Sequence, residues 1–181
     1  MVALRNVTRR FGSVVANDDI MLEIAAGEIH ALVGENGAGK TTAMRVLYGI
    51  LPPHAGHLEI DGHAVRIARP ADAIRLGLGM VHQHFMLVEP MTVAENLTLG
   101  HEPKAAFGAY RSGAAARAVE ELSKRYGFAV DPRARIRTLS VGAQQRVEIL
   151  KALHHGARVL ILDEPTAVLA PQEVEDRKSV V

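Results

Sequence analysis

Apolar and polar positions divide the chain into a strand-rich beginning, a helical middle and a final apolar run. Val2 to Thr8 and Ile20 to Ile24 are short apolar runs broken by polar residues and predict two strands, with a turn around Arg9 to Ser13. Ile29-His30-Ala31-Leu32-Val33 predicts a buried strand that runs into a glycine-rich stretch from Gly34 to Gly39. Lys40 to Leu47 predicts a helix ended by Gly49. Leu58-Glu59-Ile60 predicts a strand entering the Asp61-Gly62 turn, Pro70 to Leu76 a short helix, and Gly79 to Val81 a short strand. From Val93 to Tyr126 Ala, Glu and Arg dominate, with Leu and Val at helical spacing, and Ala114 to Tyr126 predicts an amphipathic helix. Ser140 to His154 predicts another, with Val147, Leu150 and Ala152 on or near one face. Val159 to Leu162 is continuously apolar, as a strand inside a parallel sheet is. The pattern is that of an α/β core carrying a helical subdomain.

The length of 181 residues suits one ordinary domain, and 48% hydrophobic with 23% charged residues is a globular composition rather than a disordered one. Lys and Arg number 21 against 20 Asp and Glu, a formal net charge of +1 that argues against nucleic-acid binding. Cysteine is absent, which removes disulfides and thiol chemistry from consideration. No run of apolar residues is long enough for a transmembrane helix, so any service to a membrane is expected from a peripheral position.

Three clusters carry chemistry. Gly34-Glu35-Asn36-Gly37-Ala38-Gly39-Lys40-Thr41 matches G-x-x-x-x-G-K-[ST] between a predicted strand and a predicted helix. Backbone N–H groups freed by glycines, with the helix start behind them, suit phosphate oxygens. Gly34, Asn36, Gly37, Gly39, Lys40, Thr41 and Thr42 are the expected nucleotide contacts; Lys40 suits the β- and γ-phosphates and Thr41 a Mg²⁺ ion. Val159 to Leu162 ends in Asp163-Glu164-Pro165-Thr166, which places two carboxylates at the carboxyl end of a strand, where α/β sheets bind ligands. Asp163 is expected in the Mg²⁺ shell and Glu164 as the group that orients and deprotonates water. The third cluster, Leu139-Ser140-Val141-Gly142-Ala143-Gln144-Gln145-Arg146, opens a helix with Ser140 as its natural cap.

That third cluster resembles the signature motif of ABC-type ATPases, usually Leu-Ser-Gly-Gly-Gln. Together with the phosphate loop, Gln83 and the Asp163-Glu164 ending, the resemblance spans nearly the whole chain. It implies a P-loop NTPase fold with a RecA-like parallel core, an N-terminal antiparallel β subdomain and a helical subdomain at about 90–156, within a nucleotide-binding domain of residues 1–175. It implies that Phe11 stacks on adenine, that Gln83 contacts Mg²⁺ and the attacking water, and that Ser140, Gly142 and Gln144 face a nucleotide held by a second nucleotide-binding domain, fused or dimeric. His82 and His84 flank Gln83, but no further ligand stands nearby at metal-binding spacing.

The stretches from Gly79 to Val88, from Arg146 to Leu153 and from Pro165 to Leu169 resemble the ATP-binding subunits of bacterial nucleoside and simple-sugar importers. Membrane permease subunits, with a substrate-binding lipoprotein acting indirectly, are the implied partners, at the cytoplasmic face of the inner membrane; no nucleic acid is implied. A soluble ABC-type ATPase of translation or DNA repair is the alternative. The short separation from Gln83 to Leu139 leaves no room for the long coiled coils or zinc modules of the repair and chromosome proteins.

The chain also departs from the family pattern. Ala143 cannot close a capping box with Ser140, and Ala170 stands where the D-loop usually has Asp. The family's switch histidine has no counterpart after Glu164. Residues 176–181 read as the translation of a common sequencing-library adapter, although Lys178-Ser179-Val180-Val181 also resembles the start of the family's next strand. On that reading the chain as written is expected to bind ATP poorly and to hydrolyse it little.

Overall fold

The structure is a computed structural model and describes residues 1–82, 85–103 and 110–163. The chain divides into two compact units, Met1–Leu78 and Gly79–Val181.

The first unit is built on a four-stranded sheet in the order β2-β1-β3-β4, from β1 (Val2–Phe11), β2 (Val14–Ile24), β3 (Ala55–Ile60) and β4 (His63–Val65). All three pairings are antiparallel, and Leu4 of the central strand stands opposite Leu22 on one side and Leu58 on the other. Val2, Leu4 and Val7 of β1 are buried with Leu58 and Ile60 of β3. Between Leu4 and Val7 the β1–β2 register shifts. Asn6 (φ 51°) and Asp19 (φ 48°) absorb the shift in the left-handed region, which short polar side chains tolerate. Asn6 Nδ2 donates to Asp19 Oδ1 at 2.9 Å, and the Asp19 N–H donates to Thr8 Oγ1 at 3.0 Å. Helices α1 (Lys40–Leu47) and α2 (Pro70–Arg75) complete the unit; α1 buries Ala43, Val46 and Leu47.

The sequence pattern marks α1 at its observed bounds, but the first hairpin is larger than expected. Both strands run to a turn at Gly12-Ser13, because polar Arg9, Arg10, Asn17 and Asp18 continue the ladder that apolar patterning alone does not reveal. The expected strand at Ile29 to Val33 is not formed. Ile29 is 83% and Val33 93% exposed, and among the described residues no strand pairs with this segment. An extended segment becomes a strand only when its N–H and C=O groups find a ladder partner, whatever its β-propensity.

The second unit contains β5 (Leu78–Val81, which begins at the unit boundary), α3 (Val93–Thr98), α4 (Ser112–Tyr126), α5 (Val141–His154) and β6 (Val159–Leu162). Strands β5 and β6 form a two-stranded sheet. A Cβ at Gly79 would lie 3.2 Å from Leu160 Cδ2, and the Asp163 N–H donates to the Val81 carbonyl at 3.1 Å, so both strands advance in the same direction. Gly79 also sits where a Cβ would come within 2.9 Å of Ala152 and 2.8 Å of Ala157, so only glycine fits there. The three helices enclose one core: Val93, Ala94 and Leu97 of α3, Ala115 and Val119 of α4, and Val147 and Leu150 of α5, joined by Ile136. Helix α3 is announced by Thr92-x-x-Glu95, a complete capping box. No described helix is long and apolar enough to cross a membrane.

Candidate nucleotide-binding site

The glycine-rich segment 34–39 connects the unpaired stretch 29–33 to α1. Gly37 and Gly39 lie at φ 86° and 87°, a conformation that side chains resist. Gly39 is the N-cap of α1, and no side chain caps the helix. The Ala43 N–H donates to the Gly39 carbonyl at 2.9 Å, which fixes the first turn. A Cβ at Gly39 would run into the Ala16 carbonyl oxygen, and Asn17 Nδ2 donates to the Gly39 carbonyl at 3.2 Å. Strand β2 thus holds the start of α1.

Lys40 folds back over this loop. Its ammonium donates to the Gly34 carbonyl at 2.7 Å and to the Glu35 carbonyl at 2.8 Å, so a full positive charge lies within the loop's curve. An uncapped helix start, left-handed glycines and a centred ammonium form a donor set that fits polyphosphate oxygens. Asn36 is exposed at the turn, and Thr41 and Thr42 are half-buried on the first turn of α1. Phe11 ends β1 with 44% exposure, and the Arg9 guanidinium lies 4.9 Å from its ring centroid.

In the second unit Asp163 is buried at the end of β6, its N–H bonded to Val81. Gln83 and Glu164 lie outside the described residues, as do His84 and Ala170. Among the described residues no group of three or more His, Asp or Glu side chains could hold a metal ion.

Ser140 is the N-cap of α5, and its Oγ accepts from the Ala143 N–H at 3.3 Å. The reciprocal half of a capping box is missing at Ala143, a loss of about 0.5–1 kcal/mol by comparison with cap deletions. Gln144 turns back instead, donating through Nε2 to the Leu139 carbonyl at 3.1 Å and the Ile136 carbonyl at 3.4 Å. These bonds pin the loop before the helix. Ser140 and Val141 are exposed, and Gly142 is buried.

Sequence reasoning missed a second polar group in this unit. Glu148 is only 5% exposed, and its Oε1 accepts from the Met86 N–H at 2.8 Å. Burial raises its pKa from the ordinary glutamate value, against the opposing effects of Lys151 and the Met86 N–H. Lys151 donates to the Met86 carbonyl at 3.2 Å. Two residues on, Asn96 Oδ1 accepts from the Val88 N–H at 2.7 Å, and its Nδ2 donates to the Val88 carbonyl at 3.1 Å. A carboxylate between Val147 and Leu150, on a helix face that otherwise turns to the core, is the sequence signal that marks Glu148.

The phosphate loop, the α/β arrangement and the helical subdomain define a P-loop nucleotide-binding protein. The sequence profile described as "ABC transporter" matches residues 17–167, and the chain belongs to that family. It is 49% identical over its whole length to the guanosine import ATP-binding protein of Bacillus subtilis, covering 35% of that relative. It is 50% identical over its whole length to the nucleoside import ATP-binding protein of Lactococcus lactis, covering 36% of it. The chain thus spans about a third of the length of these relatives. Among solved structures it is similar to a nucleotide-free ATP-binding cassette from an ABC transporter (TM-score 0.83, 23% identity, 97% of this chain and 73% of that one). An ATP-binding cassette in its ADP conformation is similar to the same degree (TM-score 0.84, 23% identity, 98% and 74%). At these identities the likeness shows the fold.

Proposed function

We propose that Gly34 to Thr42 form the Mg-ATP cradle of a longer subunit, of which this chain is a part and whose ATP hydrolysis drives an importer of nucleosides or simple sugars. The observation that carries the reading is the Lys40 ammonium seated on the Gly34 and Glu35 carbonyls at the uncapped start of α1. The same ammonium can leave those carbonyls for phosphate oxygens with little movement of the backbone. The names of the two relatives support the nucleoside part of that cargo class.

In this reading Phe11 provides the adenine platform, and the loop N–H groups and Lys40 hold the β- and γ-phosphates. Thr41, Gln83 and Asp163 are assigned to Mg²⁺ by their motifs, each from its own segment of the chain. Bound Mg²⁺ would offset the charge on the phosphate oxygens. Glu164 accepts a proton from the water that attacks the γ-phosphorus, and the bond from that phosphorus to the bridging oxygen of ADP breaks. Ser140, Gly142 and Gln144 serve the nucleotide of a second nucleotide-binding domain. Permease subunits dock near Gln83 to Pro90, which places the subunit peripherally at the cytoplasmic face of the membrane.

Glu164→Gln in the complete protein tests the catalytic assignment. The amide keeps the shape and loses the basic oxygen, so ATP binding persists while turnover falls at least a hundredfold, on the order of general-base contributions. Undiminished hydrolysis would move the base elsewhere.

A further inference from the structure

Residues 86–88 are held in a way that packing alone does not require. Met86 has both backbone polar groups engaged by side chains one turn apart on α5: Glu148 takes its N–H at 2.8 Å and Lys151 its carbonyl at 3.2 Å. Val88 has both of its groups engaged by Asn96 of α3, at 2.7 and 3.1 Å. Between them Leu87 packs against the helical core. The segment therefore copies a strand edge, with helix side chains in place of a neighbouring strand. The Met86 side chain remains 64% exposed and that of Val88 37% exposed.

We infer that Glu148 and Lys151 are positioning residues that tie the segment following Gln83 to α5, so that displacement of the Ser140 end of that helix is delivered to Met86 as a rigid movement. The helix runs unbroken from Val141 to His154 and is anchored in the core by Val147 and Leu150. A helix is stiff along its axis, whereas a loop transmits force only where its backbone is bonded to something stiff. The clamp supplies that bond. A buried carboxylate with a half-buried lysine one turn on is a costly way to fill space, since an apolar pair of similar volume often does as well. Its two bonds to one peptide segment give the pair a use that an apolar pair lacks.

The inference rests on the importer reading for its functional consequence, and the test separates the two. The complete protein is assembled with its permease partners in vesicles, and wild type is compared with Glu148→Ala, Glu148→Gln and Lys151→Met. Two quantities are read: hydrogen exchange at the Met86 amide, and transport per ATP hydrolysed. Glu148→Ala is expected to speed Met86 exchange at least tenfold and to lower transport per ATP at least fivefold, with ATPase activity of the isolated subunit within twofold of wild type. Glu148→Gln keeps an acceptor oxygen and should retain both properties; Lys151→Met keeps the stem, loses the carbonyl bond and should lower transport per ATP. If Glu148→Ala does not fold, the Gln and Met variants carry the comparison, because they preserve volume. Unchanged Met86 exchange in Glu148→Ala, or equal transport per ATP in wild type and Lys151→Met, overturns the inference. Wild-type vesicles that hydrolyse ATP without moving nucleoside or sugar would overturn the importer reading instead, and the exchange result would still decide whether the clamp exists.

Discussion

Asn17 donates its side-chain amide to the Gly39 carbonyl at 3.2 Å, which joins strand β2 to the residue that opens α1. Asn17 is 6% exposed, and its Oδ1 has no hydrogen-bond partner among the described residues. Asn17→Ala removes one bond and one unsatisfied acceptor, so its net cost falls near the lower end of 0.5–1.5 kcal/mol, roughly. Gly39→Ala is the harsher change, because it forces a Cβ into the Ala16 carbonyl at φ 87°. Urea denaturation and ATP titration should rank Gly39→Ala below Asn17→Ala in both stability and affinity. The reverse order would mean that the loop tolerates another backbone path.

Neighbouring Met86 and Leu87 should separate docking from folding. Met86 is 64% exposed, whereas Leu87 packs against the helical core. Met86→Glu is expected to leave the melting temperature within a few degrees and to impair assembly with the permeases. Leu87→Asp places a carboxylate at a half-buried position against the core and is expected to destabilise the second unit by about 1–3 kcal/mol. Circular dichroism and co-purification with the permeases check the pair. An unchanged melting temperature in Leu87→Asp would contradict the packing described for it.

Acidification should destabilise the second unit before most carboxylates are protonated. Burial lowers the His155 pKa to about 4, with further lowering by His101, His154 and Lys151 and a small opposing effect from a backbone hydrogen bond with Leu97. The His101 and His155 ring centroids are 4.8 Å apart, and those of His154 and His155 5.7 Å. An unfolded histidine takes up a proton near about 6.5, whereas the folded one resists until about 4. The stability that neutral His155 contributes is therefore fully present above about 6.5 and declines as the pH falls towards about 4; Glu148, whose pKa burial raises, acts in the opposite direction. Glu59, held low by its hydrogen bond to Arg5, and Glu95, held low by Thr92, stay ionised through the upper part of that window. Melting temperatures between about pH 7 and 5 should fall for wild type and less for His155→Asn. Parallel slopes would show that His155 is not the group responsible.

The elements legible in the sequence are those whose evidence is local. The bounds of α1 follow from glycines at either end, and α5 from Ser140 and the spacing of Val147 and Leu150. The phosphate loop is legible because phosphate binding by backbone demands glycines at fixed offsets. Ile29 to Val33 illustrates the opposite case: five residues with a strand's composition and no ladder partner among the described residues. Helix α3 is not among the predicted elements: the enrichment in Ala, Glu and Arg marks α4, and the Thr92–Glu95 box that opens α3 is a local signal that composition does not show. Asn17 was not legible as a site residue, since its partner is the backbone of Gly39, and a backbone acceptor leaves no residue-type signature; Glu148 stands out only as a carboxylate on a core-facing helix stripe, and its partner, the Met86 N–H, leaves no such signature either.

The central claim is that Lys40 exchanges the Gly34 and Glu35 carbonyls for nucleotide phosphates. Calorimetric titration of Mg-ATP into the complete protein and its Lys40→Ala variant tests this most directly. The account predicts binding weakened by at least about tenfold, or about 1.4 kcal/mol, with the melting temperature nearly unchanged. Equal affinity in the two proteins would contradict it.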